Sequence, residues 1–187
     1  MKNKNPNKNP NKNLKEIIVP VIVLFCVCLV ASVFLACTNY VTKPLIDAKS
    51  LEEANAARAA VLPAATSFSE TDGGYIGLDG EGNIVGYVFT VTVKSYGGDA
   101  AVMTGISTDG FVTGLEILSI SDTAGLGMNA RREEFRAQYI GKTGGISVSK
   151  DAPGGNAIDA LTGATITSRA VTDAANRALE LFGQVKK

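Results

Sequence analysis

The sequence predicts an α+β domain, a mostly antiparallel sheet with flanking helices, preceded by one N-terminal transmembrane helix. Three observations predict it. An uncharged apolar run extends from Ile17 to Cys37. From Tyr75 to Ile120, β-branched and aromatic residues dominate stretches separated by glycine-containing turns. Helical spacings of apolar residues flank that β-rich stretch on both sides.

Residues 1–13 (MKNKNPNKNPNKN) carry no apolar side chain after Met1, so they cannot bury enough surface to offset the entropy of ordering. They are expected to form a disordered basic tail. Residues 14–40 follow as the membrane anchor. Ile17–Cys37 is 21 residues without a charge, and as a helix it spans roughly 32 Å, the thickness of a hydrocarbon core. Pro20 falls in the first turn of such a helix, where a missing N–H costs little. Lys2, Lys4, Lys8, Lys12 and Lys15 stand against Glu16 alone, which places the N-terminus in the cytoplasm. The rest of the chain is then extracytoplasmic, held by a single pass in the inner (cell) membrane. The run exceeds the apolar region of a cleaved signal peptide. Phe34-Leu35-Ala36-Cys37 also resembles a lipoprotein processing site, so a lipoprotein signal stands beside the retained anchor as a second reading.

Residues 41–63 are expected as a helical stalk. Thr42 suits a cap, Pro44 an early helical position, and Leu45, Ala48, Leu51, Ala54 and Ala57 recur at helical spacing toward Val61. Leu62-Pro63 stops the pattern. Residues 64–187 hold the folded domain. Within it, 76–78 and 84–94 predict one hairpin, and 101–107 and 111–120 a second. Residues 130–139 predict a short amphipathic helix closed by Gly141, and 146–149 another strand. Residues 168–182 predict a last helix, ended by Gly183, with Thr167 at its mouth.

Composition excludes several chemistries. The chain has no histidine, which removes His-based triads, His-ligated zinc and axial-His haem. Cys26, Cys28 and Cys37 all lie in the apolar run, so the domain has no disulfide chemistry. Positive charge is concentrated before the anchor and the remainder is acidic on balance, so no nucleic-acid partner is expected. None of the 20 glycines lies in the first 40 residues, and three short clusters stand out: 96–98, 124–127 and 162–165. Each lets backbone amides approach a ligand, and each alone is more often a turn. Neither GxGxxG after a strand nor GxxxxGK[ST] occurs.

Asp159–Ser168 (DALTGATITS) is the richest segment. Thr162, Thr165, Thr167 and Ser168 lead directly into the last helix, where free amides and the helix dipole receive an anion. Local pattern alone favours the plainer reading, in which Thr167 or Ser168 caps the helix.

Thr162-Gly163-Ala164-Thr165-Ile166-Thr167 matches the [S/T]GATx[T/S] flavinylation motif of the FMN-binding domain family. Ser95-Tyr96-Gly97-Gly98 resembles that family's G-Y-G-G segment, with Ser95 for the first Gly. Asp122-Thr123-Ala124-Gly125-Leu126-Gly127 resembles its E-T-P-G-L-G segment, with Asp for Glu and Ala for Pro. Phe135 followed by Tyr139-Ile140-Gly141-Lys142 fits its F…[QF]-x-G-K. Residues 75–183 are covered, behind one anchor and Thr-Lys-Pro at 42–44. In this the chain resembles the G-subunit family of Rnf-type electron-transport complexes, and the related C subunits of sodium-pumping NADH:quinone oxidoreductases.

The resemblance implies that 64–187 is an FMN-binding domain within a membrane-anchored flavoprotein subunit. That subunit would carry electrons between NADH and ferredoxin sides, coupled through other membrane and iron–sulfur subunits to ion translocation. It implies FMN joined by a phosphoester to the Thr167 hydroxyl. A separate flavin transferase would move it from FAD as AMP departs, so the chain is not catalytic by itself. Asp159 would belong to the motif the transferase reads, with Thr162, Gly163, Ala164 and Thr165 around the phosphate. Tyr96, Gly97, Asp122, Thr123, Gly125 and Leu126 would contact the ring, with Met128 beside them. Blander readings stay open: Asp159 as a loop turn, Leu126 and Met128 as core, and Arg169, Lys94 and Lys142 as either flavin counter-charges or solvated surface. A threonine hydroxyl is a weak nucleophile and neither His nor Cys neighbours Thr167, so activation is expected from the transferase and its metal. A stand-alone extracytoplasmic FMN-binding reductase or binding module, tethered to the envelope, is the alternative function.

Overall fold

A single helix, α1 (Pro10–Val61, 52 residues), runs through the segments assigned to tail, anchor and stalk. It is seen in a computed structural model that describes residues 10–71 and 73–186. Pro10–Asn13, expected in the disordered tail, are helical, while residues 1–9 of that tail lie outside the described residues. Pro20 and Pro44 are both interior to α1, so neither marks a helix start. Thr42 is not a cap. Its Oγ1 donates to the Thr38 carbonyl at 2.8 Å, as Thr38 does to Phe34 and Ser32 to Cys28. Such back-bonding satisfies a hydroxyl within a helix that offers it no other partner. The large apolar side chains from Ile17 to Val41 are exposed, Leu35 to 72%. Among the described residues, α1 is the one helix long and apolar enough to cross a membrane.

The chain divides into two compact units between Leu51 and Glu52, so the last turns of α1 belong to the C-terminal unit. That unit is built on an antiparallel meander of five strands in sequence order. They are β1 (Ser67–Thr71), β2 (Gly74–Leu78), β3 (Ile84–Lys94), β4 (Asp99–Ser107) and β5 (Val112–Ser119). The two hairpins expected from the sequence are β2–β3 and β4–β5. β1 was not expected, because in SFSET only Phe68 is apolar and the alternation that marks a half-buried strand is absent; it pairs along β2 as an edge.

After β5 the chain makes a 3-10 turn (Gly127–Arg131), the short helix α2 (Glu133–Arg136) and a second 3-10 turn (Ala137–Tyr139). One helix was expected over 130–139. Arg132, with φ −68° and ψ 141°, is extended and divides it. The Phe135–Tyr139 pair survives the division, buried and edge-to-face at 5.7 Å. β6 (Ser147–Val148) fulfils the expected strand, pairing in parallel with β7 (Ala157–Ile158). The last helix, α3 (Thr165–Val185), starts three residues earlier than expected and runs past Gly183.

The sheet is covered on both faces. On one, α3 presents Val171, Ala174, Ala175 and Ala178 to Phe89, Val91, Val102 and Ile106. The alanines let helix and sheet approach closely, and Phe182 meets Tyr87 edge-on at 5.4 Å. On the other, Ala57, Val61 and Leu62 at the end of α1 pack with Val88 and Met103. Glycines form the floor of that seat. Gly105 pairs with Gly114, and Gly77 with Gly86. A Cβ on Gly105 would stand 2.1 Å from the Val61 carbonyl oxygen, and one on Gly77 2.4 Å from Leu62. Thr113 Oγ1 donates to the same Val61 carbonyl at 2.5 Å, satisfying a carbonyl that the helix end leaves free.

Candidate functional site

Three segments distant in sequence converge at one end of the sheet. The turn from β3 to β4 is closed by the Ser95 amide donating to Gly98 at 2.8 Å. The chain leaving β5 passes directly over it, so that a Cβ on Gly97 would fall 2.2 Å from the Ser121 carbonyl oxygen. Only glycine fits there. Asp122, next in sequence, turns its carboxylate into this turn. Oδ1 accepts from the Gly97 amide at 2.6 Å and Oδ2 from Ser95 Oγ at 2.5 Å. Oδ2 also accepts from Thr167 Oγ1, again at 2.5 Å. Gly127 backs the contact: a Cβ there would stand 2.6 Å from both Asp122 Oδ2 and Thr167 Oγ1.

Burial pushes the Asp122 carboxyl upward, but the donors Ser95, Thr167 and Gly97 outweigh it and hold its pKa below the usual carboxylate value. Thr167 is 1% exposed and is the third residue of α3. It therefore does not cap the helix, and neither does Ser168, whose Oγ accepts from the Leu161 amide and donates to the Ala164 carbonyl. Ala164 occupies the cap position without a side-chain bond. The amides of Thr165, Ile166 and Thr167 open the helix toward the neighbouring space.

That space is a cavity of about 410 Å³, within the usual range for a small-molecule site. Of the residues singled out in the sequence, Tyr96, Asp122, Thr123, Leu126, Gly163, Ala164, Thr165 and Thr167 line it. Gly97 acts from behind, through Asp122. Gly125 takes φ +78° in the turn that presents Leu126, whose amide donates to the Thr123 carbonyl. Thr162 is exposed and off the lining. Asp159 is also off it; its amide donates to Gln138 Oε1 at 2.6 Å and its carboxylate accepts from Ser149. Met128 is 39% exposed outside the cavity. Lys94 pairs with Asp99, and Lys142 donates to the Gly155 carbonyl.

Gly127, in the segment marked by the sequence, also lines the cavity, whereas the sequence missed Ile166 and above all Lys150 as lining residues. Lys150 Nζ lies 3.3 Å from Thr165 Oγ1, brought there by the loop after β6. Nothing in Ser-Lys-Asp marks it. Arg169, the basic residue beside the motif, is instead held by Asp151 through two bonds of 2.7 and 2.5 Å, which also lower the Asp151 pKa. The cavity thus combines a buried hydroxyl, open helix amides, one ammonium group and an apolar wall of Leu126 and Ile166. This donor set suits a group with an anionic phosphate end and a flat apolar end, as in FMN.

Residues 95–180 match the model of the FMN-binding domain family. The G subunit of the Na+-translocating ferredoxin:NAD+ oxidoreductase complex of Acetobacterium woodii is 33% identical over 190 residues, covering 89% of this chain and 91% of its own length. The chain belongs to that family of G subunits. The G subunit of the proton-translocating ferredoxin:NAD+ oxidoreductase complex of Clostridium ljungdahlii is 32% identical, over 82% of this chain and 84% of that one. The fold of the family's domain is shared more widely. The crystal structure of the C subunit of the Na+-translocating NADH-quinone reductase of Parabacteroides distasonis aligns with a TM-score of 0.50 at 19% identity, covering 60% of each chain.

Proposed function

We propose that this chain is the flavoprotein subunit of an Rnf-type ion-translocating complex. It carries FMN as a phosphoester on Thr167 and passes electrons between ferredoxin and NADH sides. The observation that carries the reading is the placement of Thr167: a buried hydroxyl in the wall of a cavity, at the opening of α3, inside the flavinylation match. Relatives matched over most of their length and named as members of such complexes support this reading over a stand-alone reductase.

The first-turn amides of α3 and its dipole favour the phosphate by about 0.3–1 kcal/mol at an exposed site. Lys150 adds a positive charge beside Thr165. Leu126 and Ile166 offer apolar contact to the ring, with Tyr96 at the rim. When bound, FMN supplies the electron-carrying isoalloxazine, while the protein sets its position and potential. A flavin transferase installs it, and other membrane and iron–sulfur subunits exchange electrons with it. The lysines before the anchor favour a cytoplasmic N-terminus, with α1 crossing the inner membrane once and the residues beyond it extracytoplasmic.

Co-expression of the full chain with a flavin transferase, read by in-gel fluorescence after denaturation and by intact mass, tests the attachment. Thr167→Ala should lose the label and Thr165→Ala should keep at least part of it; a fully labelled Thr167→Ala sinks the assignment. A reporter fused after Lys187 should behave as extracytoplasmic, and a cytoplasmic signal would reverse the orientation.

A further inference from the structure

We propose that the flavin is attached from an opened state, in which the first turn of α3 has swung off Asp122, and that the Asp122–Thr167 contact is a latch holding the unmodified chain closed. The inference rests on the assignment of Thr167 made above. Attack on phosphorus brings the reacting atoms to about 3–3.5 Å, and a base of the transferase must reach the same hydroxyl within about 2.6–3.2 Å. The closed fold leaves Thr167 Oγ1 no room for both. Thr167 belongs to the cavity wall but is 1% exposed, and its Oγ1 donates to Asp122 Oδ2 at 2.5 Å. On the Gly127 side even one added carbon would stand 2.6 Å from that oxygen. The residues around it in sequence are the reverse: Asp159, Thr162, Gly163 and Ile166 are exposed. A transferase therefore meets the handle outside and the nucleophile inside.

The fold makes this turn the part of α3 that opens most readily. Its leading amides have no partner within the helix, and the ladder begins with the Ser168 amide donating to the Ala164 carbonyl at 3.0 Å. Apolar anchoring starts only at Ala170 and Val171, 7% and 0% exposed, whereas Ile166 is 52% exposed. Gly163, at φ +75°, gives the chain a pivot just before the turn. What holds the turn shut is polar: Asp122 on Thr167, the Leu161 amide on Ser168, Lys150 on Thr165 and Asp151 on Arg169. Of these acceptors and donors the Asp122 carboxylate is the charged group that is buried, at 5% exposure, and Ser95 and Gly97 hold it in position. A local opening of this kind needs less free energy than unfolding of the domain.

The transfer that follows opening balances without redox change. The Thr167 Oγ1–P bond forms at the flavin-side phosphorus of FAD. The P–O bond to AMP breaks, AMP leaves with the electron pair, and the hydroxyl proton passes to the base of the transferase. Once esterified, Oγ1 has no hydrogen left to donate, and the anionic phosphodiester meets the Asp122 carboxylate with a like charge. The latch therefore exists only before attachment, and the modified chain cannot reclose onto it.

The test labels the full chain in detergent with purified flavin transferase, FAD and Mg2+, followed by intact mass, beside amide exchange at residues 168–170 of the unlabelled chain. With transferase limiting, the labelling rate should rise in proportion to the opening constant that exchange reports. Asp122→Ala should open the turn and speed labelling by about 10–100-fold, the range of a hydrogen bond to a charged acceptor. Asp151→Ala, which leaves Thr167 and its latch untouched, should do so by about 1.4–5-fold, as expected for an exposed ion pair. Labelling of either variant at or below the wild-type rate while its turn opens more overturns the proposal. So does exchange at residues 168–170 that neither substitution changes, or labelling of the wild type faster than its turn opens. Should Asp122→Ala not fold, Ser95→Gly, which removes one donor from the latch carboxylate, and Asp151→Ala decide by the same comparison. Flavin found on a residue other than Thr167 sinks both readings, whereas label confined to Thr167 at a rate indifferent to opening sinks only this one.

Discussion

Replacing Gly105 by Ala tests how the domain receives the end of α1. The added Cβ would lie 2.1 Å from the Val61 carbonyl oxygen and 2.7 Å from Thr113 Oγ1. The nearest obstacle is backbone, which cannot rotate away as a side chain does, so the helix end must lift or the sheet must bend. A full lift exposes Val61 and Leu62, each 1% exposed in the fold. Their burial contributes about 1.5–3 kcal/mol apiece, and the Thr113–Val61 hydrogen bond about 1 kcal/mol, so the loss is about 4–7 kcal/mol. If the strain is shared by bending, the overpacking range of about 1–3 kcal/mol applies. Gly80→Ala is the control, with nothing within 4 Å of its added Cβ and an expected effect within about 0.5 kcal/mol. The assay is urea unfolding of the full chain in detergent. It is followed by the near-UV signal of Tyr75, Tyr87 and Tyr139, which report on the domain and not on the apolar helix. With an m-value of about 1–3 kcal/mol/M and a difference of at least about 0.5 kcal/mol between the two variants, Gly105→Ala should unfold at least about 0.2 M earlier than Gly80→Ala. Equal midpoints for the two variants would refute the glycine seat.

Two further outcomes follow from the charges of the site. The fold favours ionised Asp122, so its stabilisation is full above its ordinary pKa of 3.8 and is lost as pH falls through the lower folded value. The stability difference between unflavinylated wild type and Asp122→Asn should therefore shrink in acid, and a difference constant with pH would show that the carboxylate's charge is not what the fold uses. Lys150→Ala should leave stability within about 0.5 kcal/mol but weaken binding of free FMN by about 1.4–5-fold, the range of an exposed charge pair. Fluorescence titration at low and high salt checks it, since the loss should fade with salt; unchanged affinity at low salt removes Lys150 from the phosphate site.

The fold was legible where pattern is carried by side chains and illegible where it is carried by their absence. β3 alternates from Phe89 to Lys94, and α3 repeats its alanines at helical spacing, so both announce themselves. The seat for Val61 and Leu62 is four glycines in two facing pairs, each pair set across a hairpin turn where side-chain periodicity does not register it. Their meaning appears only once register pairs Gly105 with Gly114 and Gly77 with Gly86. Pro44 misled for a related reason. It suits a first turn, yet α1 continues through it, because an exposed helix gives up one internal bond more readily than it abandons a run already formed.

At the site, the glycine and hydroxyl clusters marked three segments correctly but said nothing of which atoms would meet. Two of the marked residues had stood out as departures from the family pattern, Ser95 where a glycine is expected and Asp122 where a glutamate is. In the structure they are partners: Ser95 Oγ donates to Asp122 Oδ2 at 2.5 Å, on the oxygen that receives Thr167. An aspartate is one methylene shorter than a glutamate, and a glycine at 95 offers no side-chain donor. The two departures therefore compensate locally. The shorter acid is steadied by a hydroxyl that the glycine pattern lacks, and the carboxylate still reaches the threonine. Coupling follows from that contact. Ser95→Gly alone removes a donor from Asp122 and should weaken its hold, whereas Ser95→Gly with Asp122→Glu restores the family's own pair. A double-mutant cycle on domain stability should then give an interaction energy of about 0.5–3 kcal/mol, the range for residues in one hydrogen-bonded network. Strict additivity would mean that the two substitutions are independent of each other and that their contact does not couple them.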